Sequence, residues 1–331
     1  TTEPGKPLLP IFSGNLLIPA GANLKGITIT RIEKVELEGS YHIYPTQPMR
    51  PLSRFNSVPF VEPDPVVYSS NTVYPSEPLT PVPAGSKAGF RLAGFLLCPF
   101  EYRPQTGKLT LWTRVELEAS YEENRHPVTA LTPGQREFVE ADIKELVLNQ
   151  ADVSRMAPPT FELDGPELDV VIVTSSALAP ALVNFRSYLA RKGYFTEIMP
   201  TETIYARYPG RDNAEKIRNM LKDKFATQGL KFAILAGDVQ HVPCRTGYLP
   251  YSPYNVPADL YFSDLDGTWD ANNNSQFGEY SYTNFNPDSV DLYSDIYIGR
   301  LPLDDAANCV NFLAKDTTYE CHPDTAYLDN V

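Results

Sequence analysis

The sequence predicts a two-domain α+β protein: an N-terminal all-β sandwich, then an α/β domain on a doubly wound parallel sheet, incomplete within this chain. Three observations predict it. At 331 residues the chain exceeds one average domain of about 100–200 residues. Its apolar pattern alternates with period two in the first part and becomes continuous β-branched runs joined by helical patterns after Gly165. Between the two lies Ser154-Arg155-Met156-Ala157-Pro158-Pro159, a linker by composition. The expected divisions are residues 1–130 for the sandwich, 131–165 for a helix and linker, and 166–331 for the α/β part.

In the first part, Leu16-Leu17-Ile18, Ile27-Thr28-Ile29 and Val35-Glu36-Leu37 read as short strands separated by Pro19-Ala20-Gly21 and Gly39-Ser40. Prolines are so dense between Pro45 and Pro83 that this stretch is expected as loop or edge, because proline cannot donate to a ladder. Phe95-Leu96-Leu97-Cys98-Pro99-Phe100, the turn Gln105-Thr106-Gly107-Lys108 and the alternating run Leu109–Tyr121 form an expected hairpin. In that run Leu109, Leu111, Thr113, Val115, Leu117, Ala119 and Tyr121 should share one face.

Thr132-Pro133-Gly134-Gln135 carries helix-start chemistry, with Thr132 as N-cap, Pro133 at the first position and Gln135 reaching back. The helix should run to about Asn149. Beyond Gly165 the run Asp169–Thr174 fits a strand buried on both faces. A helix with Leu178, Leu182, Phe185 and Leu189 inward follows, then strand Phe195–Ile198. A second helix from Asn213 to Gln228, with Gly229 after it, feeds strand Lys231–Ala236. Ser294–Gly299 is a fourth expected strand and Asp304–Tyr319 a third helix. This β-α-β-α-β order is that of a doubly wound sheet.

Composition excludes several functions. The formal net charge of −13 and the lack of a Lys/Arg cluster argue against nucleic-acid binding, which needs clustered cations to displace counterions. No apolar run approaches the roughly 20 residues that span a bilayer, so no transmembrane segment is expected. The chain opens without the basic and apolar regions of a signal peptide. Its 31 prolines and the excess of Tyr over Phe, 20 to 16, suit ordered extracellular loops and point to a secreted or cell-surface protein. Phosphate-cradling, zincin and hydrolase-elbow motifs are absent from the sequence.

The densest group of oxygen donors runs from Asp264 to Glu279. Asp270, Asn272 and Asn274 alternate, Gln276 can add a carbonyl, and Glu279 closes the run. A hard cation takes six to eight oxygens from a loop folded round it, so a calcium ion is expected here, with Asp264 and Asp266 completing the shell or holding a second ion. The competing reading is an Asn-rich turn that bonds to itself. Asp238, just after a strand, is either a site residue or a partner of loop amides. His241 and Cys244 are close in sequence without any assurance of contact, and Cys321-His322 still less. Tyr248, Tyr251 and Tyr254 form an aromatic face or simply order a Pro-rich loop.

Several segments taken together resemble the gingipain family of secreted cysteine endopeptidases. They are Val170–Thr174, Phe185–Tyr194, Ala233–Asp238 with Pro243, Ala258–Phe262 and Ile296–Pro302. Pro4–Pro10, Ile18–Ala22 and Tyr102–Leu109 are similar to the family's pro-segment. The resemblance implies a caspase-like α/β fold and a calcium-stabilised zymogen that acts on protein or peptide substrates through a Cys thiolate and a His. It also implies that this dyad lies in the remainder of the catalytic domain, beyond Val331, so no catalytic residue is assigned. Arg155 in the linker is the expected processing point, and Arg50, Arg54 and Arg103 are loop basics that plug a pocket or merely decorate the surface. The rival reading is an extracellular binding or adhesion protein with a non-catalytic α/β scaffold.

Overall fold

The computed structural model describes residues 3–48, 58–83, 85–123, 125–248, 256–279, 288, 290 and 292–321. Two units separate by their internal contacts. The first comprises Thr1–Gly85, Phe90–Pro127 and Ile143–Met156, and the second Ser86–Gly89, Val128–Asp142 and Ala157–Val331.

Alternating residues in the first unit give two antiparallel sheets. The strands are β1 (Phe12–Ile18), β2 (Asn23–Glu36), β3 (Leu79–Pro81), β4 (Gly85–Lys87), β5 (Phe90–Leu97), β6 (Phe100–Arg103) and β7 (Lys108–Glu122). One sheet runs β1-β5-β3 with β4 also on β5, and the other β2-β7-β6. The chain leaves one sheet for the other at Cys98-Pro99, so β6, not the segment from Phe95, forms the hairpin with β7. Ile18, Phe95 and Leu97 from the first sheet share a core with Ile27 and Trp112 from the second.

Two expectations are corrected in this unit. The pieces Ile27–Ile29 and Val35–Leu37 belong largely to one long strand, β2, which pairs with β7 through three register shifts. One shift sets Glu33 opposite Arg114 and Lys34 opposite Trp112, leaving Thr113 as the extra residue. A bulge of this kind inverts the alternation. Trp112 therefore enters the same core as Val115, Leu117 and Ala119, Thr113 is exposed, and Leu109 packs in a separate cluster with Leu9, Cys98 and Tyr102. The described residues of the Pro-rich stretch include β3 at the sheet's edge and the single turn α1 (Pro65–Tyr68), which Asp64 caps by accepting the Val66 N–H at 2.9 Å.

The next helix, α2 (Pro133–Leu146), starts as its sequence dictates. Gln135 N–H donates to Thr132 Oγ1 at 3.1 Å, and Thr132 N–H donates back to Gln135 Oε1 at 3.0 Å. Gln135 does more than the capping pattern requires. Its Nε2 donates to the Phe225 and Leu230 carbonyls at 3.1 and 3.0 Å, and the side chain is 1% exposed. Replacing Gln135 with alanine strands these buried groups, so we expect a loss of about 1–3 kcal/mol in urea unfolding, against a few tenths for an exposed position on the same helix. After α2 the first unit continues through a 3₁₀ turn at Gln150–Asp152 into α3 (Val153–Met156).

The second unit centres on a parallel sheet of β8 (Val170–Thr174), β9 (Thr196–Pro200), β10 (Phe232–Ala236) and β13 (Tyr297–Leu301), in the order β13-β10-β8-β9. All five residues of β8 are buried, as its β-branched run predicts. The connecting helices are α4 (Val183–Arg191), α5 (Thr201–Arg207) and α6 (Asn213–Gln228), and α7 (Ala306–Cys321) follows β13; β11 (Thr246–Gly247) and β12 (Val256–Pro257) form a separate small ladder. Helix α6 has the expected bounds: Asp212 caps it by accepting the Glu215 N–H at 2.9 Å, and Gly229 ends it at φ +81°. Phe185 of α4 and Phe312 of α7 meet edge-on at 5.7 Å, within one core that includes Val170 and Ile172.

Two element starts move by more than one residue. Strand β13 starts at Tyr297, not Ser294, because Asp295 N–H is already committed to the Ser263 carbonyl at 2.9 Å. Helix α7 starts at Ala306, not Asp304, because Asp305 turns its carboxylate to the Asn308 N–H at 2.7 Å.

Candidate metal centre

The acidic segment after β12 is held by three arginines. A 3₁₀ turn, Asp259–Phe262, leads into it and buries Tyr261 and Phe262. Arg218 of α6, 4% exposed, donates through Nε to the Asp264 carbonyl at 2.8 Å and through Nη2 to the Gly267 carbonyl at 2.7 Å. Its guanidinium is 3.6 Å from the wholly buried Asp264 carboxylate and 4.9 Å from the Tyr261 ring centre. Arg245 lies between the Tyr261 and Phe277 rings, at 4.4 and 3.8 Å, and bonds both oxygens of Asp212. Arg211 pairs with Asp270 at 2.5 Å. Asp264 also accepts the Gly267 N–H and the Trp269 indole N–H at 2.9 and 2.6 Å, which holds Trp269 buried at a φ of +61°. A bulky residue keeps that conformation only when its surroundings over-determine it.

The run from Asp270 to Glu279 closes on itself. Asp270 Oδ1 accepts the Asn274 and Ser275 N–H groups at 2.9 and 3.3 Å. Asn272 Oδ1 accepts the Asn274 N–H, and Asn274 Oδ1 the Gln276 N–H. The Asn272 and Asn274 amides both donate to Glu279 Oε2 at 2.7 Å. These are the bonds of an Asn-rich turn, and they bring Asp270 and Glu279 into one compact loop.

Two carboxylates that the sequence reading did not include join this region. Asp288, with no exposed surface, accepts the Glu279 N–H on Oδ2 at 2.7 Å, while its Oδ1 is buried with no hydrogen-bond partner among the described residues. Burial raises its pKa, and the charges of Glu279 and Asp270 add to that rise against the Glu279 N–H. Asp295 comes within reach of Asp264 and Asp266, the three offering ligand oxygens within 4.8 Å of one another. Burial and then the Asp266 charge push the Asp295 carboxyl well above the usual carboxylate range, against N–H bonds from Leu265 and Ala88. Their distance in sequence, beyond the Asp264–Glu279 run, hid both residues. Only the loop's return to its own start could have revealed them.

The carboxyl ends of β8 and β10, where the strand order reverses, are the usual ligand crevice of such a sheet. Asp238 Oδ1 there accepts the Val239 N–H at 2.8 Å, the loop-amide role among the two expected for it. His241 does not meet Cys244. Its Nε2 donates to the Asp304 carbonyl at 2.9 Å, which leaves Nδ1 to accept from the Ser175 hydroxyl at 3.0 Å. Among the described residues no cysteine sulfur is bonded to a histidine. Burial raises the thiol pKa of both Cys98 and Cys309, and a thiol so held is a poor nucleophile. Cys321 contacts Tyr188 at 4.0 Å, while His322, Tyr251, Tyr254, Arg50 and Arg54 lie outside the described residues. Arg155 sits in α3 with its side chain exposed and paired to Asp152 at 2.8 Å, and that pairing raises its pKa. No helix among the described residues is long and apolar enough to cross a membrane.

Comparison with known proteins gives a family. The model of peptidase family C25 matches residues 164–331, and that of the C25 propeptide matches residues 1–140. Among solved structures, the complex of Porphyromonas gingivalis RgpB pro- and mature domains is 21% identical, with 45% of this chain and 75% of that chain covered at a TM-score of 0.36. A structure of gingipain K from Porphyromonas gingivalis, described for its zymogenic latency, is 23% identical, with 37% and 69% covered at a TM-score of 0.32. A third, described as a protease, is 18% identical, with 47% and 29% covered at a TM-score of 0.35. No curated protein matches the chain. Overlaps of this size carry no argument, and the assignment rests on the two family models. By these matches the chain belongs to peptidase family C25, the gingipain-like cysteine peptidases, with the family's propeptide ahead of its peptidase region.

Proposed function

We propose that the chain is the propeptide and peptidase part of a secreted, calcium-stabilised cysteine endopeptidase zymogen that acts on proteins or peptides. The observation that carries this reading is the serial match, propeptide over residues 1–140 and peptidase over 164–331. The core shared by both sheets of the first unit supports a sandwich propeptide, and the β13-β10-β8-β9 order supports a caspase-like peptidase fold. An adhesion protein would have no reason to carry this pair of segments.

The orphaned Asp288 Oδ1 supports calcium. A buried, unpartnered carboxylate oxygen beside Asp270 and Glu279 is costly alone and suits a hard cation. Asp288 and Glu279 would hold the ion, with the oxygens of Asp270, Asn272, Asn274 and Gln276 around them. Asp264, Asp266 and Asp295 would hold a second. Calcium would supply charge neutralisation and oxygen coordination, while the arginines keep the loop folded for it. Arg155, exposed in a linker held by a single short helix, is the proposed processing point.

A thiol-reactive peptidyl probe applied to the full-length protein tests the peptidase reading. Labelling of one cysteine, other than the buried Cys98 and Cys309, is the expected result, and no labelling after propeptide removal would sink it. Trace protease on the intact protein should make its first cut within residues 150–165. A first cut elsewhere counts against Arg155.

A further inference from the structure

Arg211, just before the cap of α6, ties that helix to the acidic loop. Its Nε donates to the two carboxylate oxygens of Glu215 at 3.3 and 3.1 Å, and its Nη1 donates to Asp270 Oδ2 at 2.5 Å. The Asp270 bond is the largest influence on the guanidinium's pKa, which it raises against burial. The partners are unequally placed. The Asp270 carboxylate has no exposed surface, whereas the Arg211 side chain is 43% exposed. Asp270 Oδ1 already accepts the Asn274 and Ser275 N–H groups. Arg211 therefore stands on the oxygen that Asp270 has left for an ion shared with Glu279 and Asp288. A guanidinium only donates, so it cannot join a cation's shell as a ligand. A calcium ion on that same oxygen, at about 2.3–2.6 Å, would lie within about 5 Å of the guanidinium nitrogen, where two positive charges repel strongly.

We propose that Arg211 is a tethered counter-ion of the Asp270–Glu279 loop that competes with calcium for Asp270. The inference rests on the calcium reading and adds its regulation. Without calcium, the guanidinium neutralises a carboxylate that water does not reach, and the loop keeps its form. With calcium, the ion takes Asp270 Oδ2 and Arg211 turns outward, still held at Nε by Glu215 in the first turn of α6. Stacking on the loop survives the exchange, because Phe277 keeps Arg245 at 3.8 Å from its ring while losing Arg211 at 5.2 Å. One arginine does not satisfy this loop: the charges of Glu279 and Asp270 both bear on Asp288, so three carboxylates face a single guanidinium. Displacing that guanidinium weakens calcium binding. The site then falls among the weak extracellular ones, about 10⁻⁴–10⁻³ M, that fill only in calcium-rich surroundings.

Calorimetric titration of the full-length protein with calcium chloride, wild type beside Arg211→Met, tests this. Methionine keeps an apolar stem for Phe277 and removes the charge and the donors. The binding event to follow is the one weakened by Asp288→Asn, which separates it from any ion at Asp264, Asp266 and Asp295. Arg211→Met should bind calcium roughly tenfold tighter or more. In chelator it should melt below the wild type, and calcium should close that gap. Equal or weaker binding by the variant overturns the competition. If the variant fails to fold in chelator, nitrogen NMR of the wild-type arginine side chains decides. Calcium should shift the Arg211 Nη signals, and signals unmoved at saturation overturn the inference. Calcium binding by neither protein defeats the calcium reading and this inference with it, whereas equal binding by both defeats this inference alone.

Discussion

Replacing Arg218 with alanine should lower the unfolding free energy of the second unit by about 3–5 kcal/mol. Removing one partner of a buried pair leaves the other charge uncompensated, which costs far more than the pair itself is worth. Here the stranded group is Asp264, whose carboxylate has no exposed surface. The Asp264 and Gly267 carbonyls lose their donors in the same step, and Tyr261 loses the guanidinium above its ring. Arg218→Lys should recover less than half of the loss. A lysine restores the charge, but its ammonium has no planar fork to serve two carbonyls at once. Urea unfolding followed by tryptophan fluorescence reads this directly, since Trp269 is bonded to Asp264. A loss below about 1 kcal/mol would mean that solvent reaches Asp264, and the account of a rigid, arginine-held loop would fail.

Much of the fold was legible because local chemistry and tertiary packing agree. The β-branched run at β8, the capping box at Thr132 and Gln135, and the Asp212 and Gly229 caps of α6 each name an element from a few adjacent residues. Legibility failed where one residue changes the phase of a pattern. Thr113 as the extra residue of a bulge inverts the faces of β7, and nothing in the alternation before it announces that. It failed again where tertiary contacts outbid local preference, as at Ser294–Ile296, whose β-like pattern serves a loop instead of a strand. The acidic region shows the same division. Spacing picked out Asp264 to Glu279, but whether such residues coordinate an ion or one another depends on which groups return from elsewhere. Asp288 and Asp295 return, and one of them brings an oxygen without a partner among the described residues. The serine at the end of β8 that meets His241 was invisible for the same reason, being 66 residues away.

Asp288→Asn should have opposite effects with and without calcium. In chelator the variant should be the more stable protein by about 1 kcal/mol, because it removes a buried negative charge that Glu279 and Asp270 repel while keeping an oxygen for the Glu279 N–H. In saturating calcium the order should reverse. The wild type gains RT ln(1 + [L]/Kd), about 2.7 kcal/mol at a hundred times the dissociation constant, and the variant gains little of it. The pH dependence follows from the direction of the shift. A carboxyl whose folded pKa is raised contributes stability that is fully present below its unfolded pKa, near 4, and is lost as pH rises through the folded value. Asp212 and Glu167 are shifted downward, with arginine or lysine bonds outweighing their burial; their stability is present above the unfolded pKa and is lost as pH falls. The difference between wild type and variant cancels these other groups and isolates Asp288. In chelator that difference should therefore open in the variant's favour as pH rises from 4 towards neutrality, and calcium should close and invert it. Melting curves at several pH values, with calcium and with chelator, measure all four arms. Were the two proteins to respond equally to calcium, Asp288 would hold no cation, and its unpartnered oxygen would be only a cost the fold tolerates.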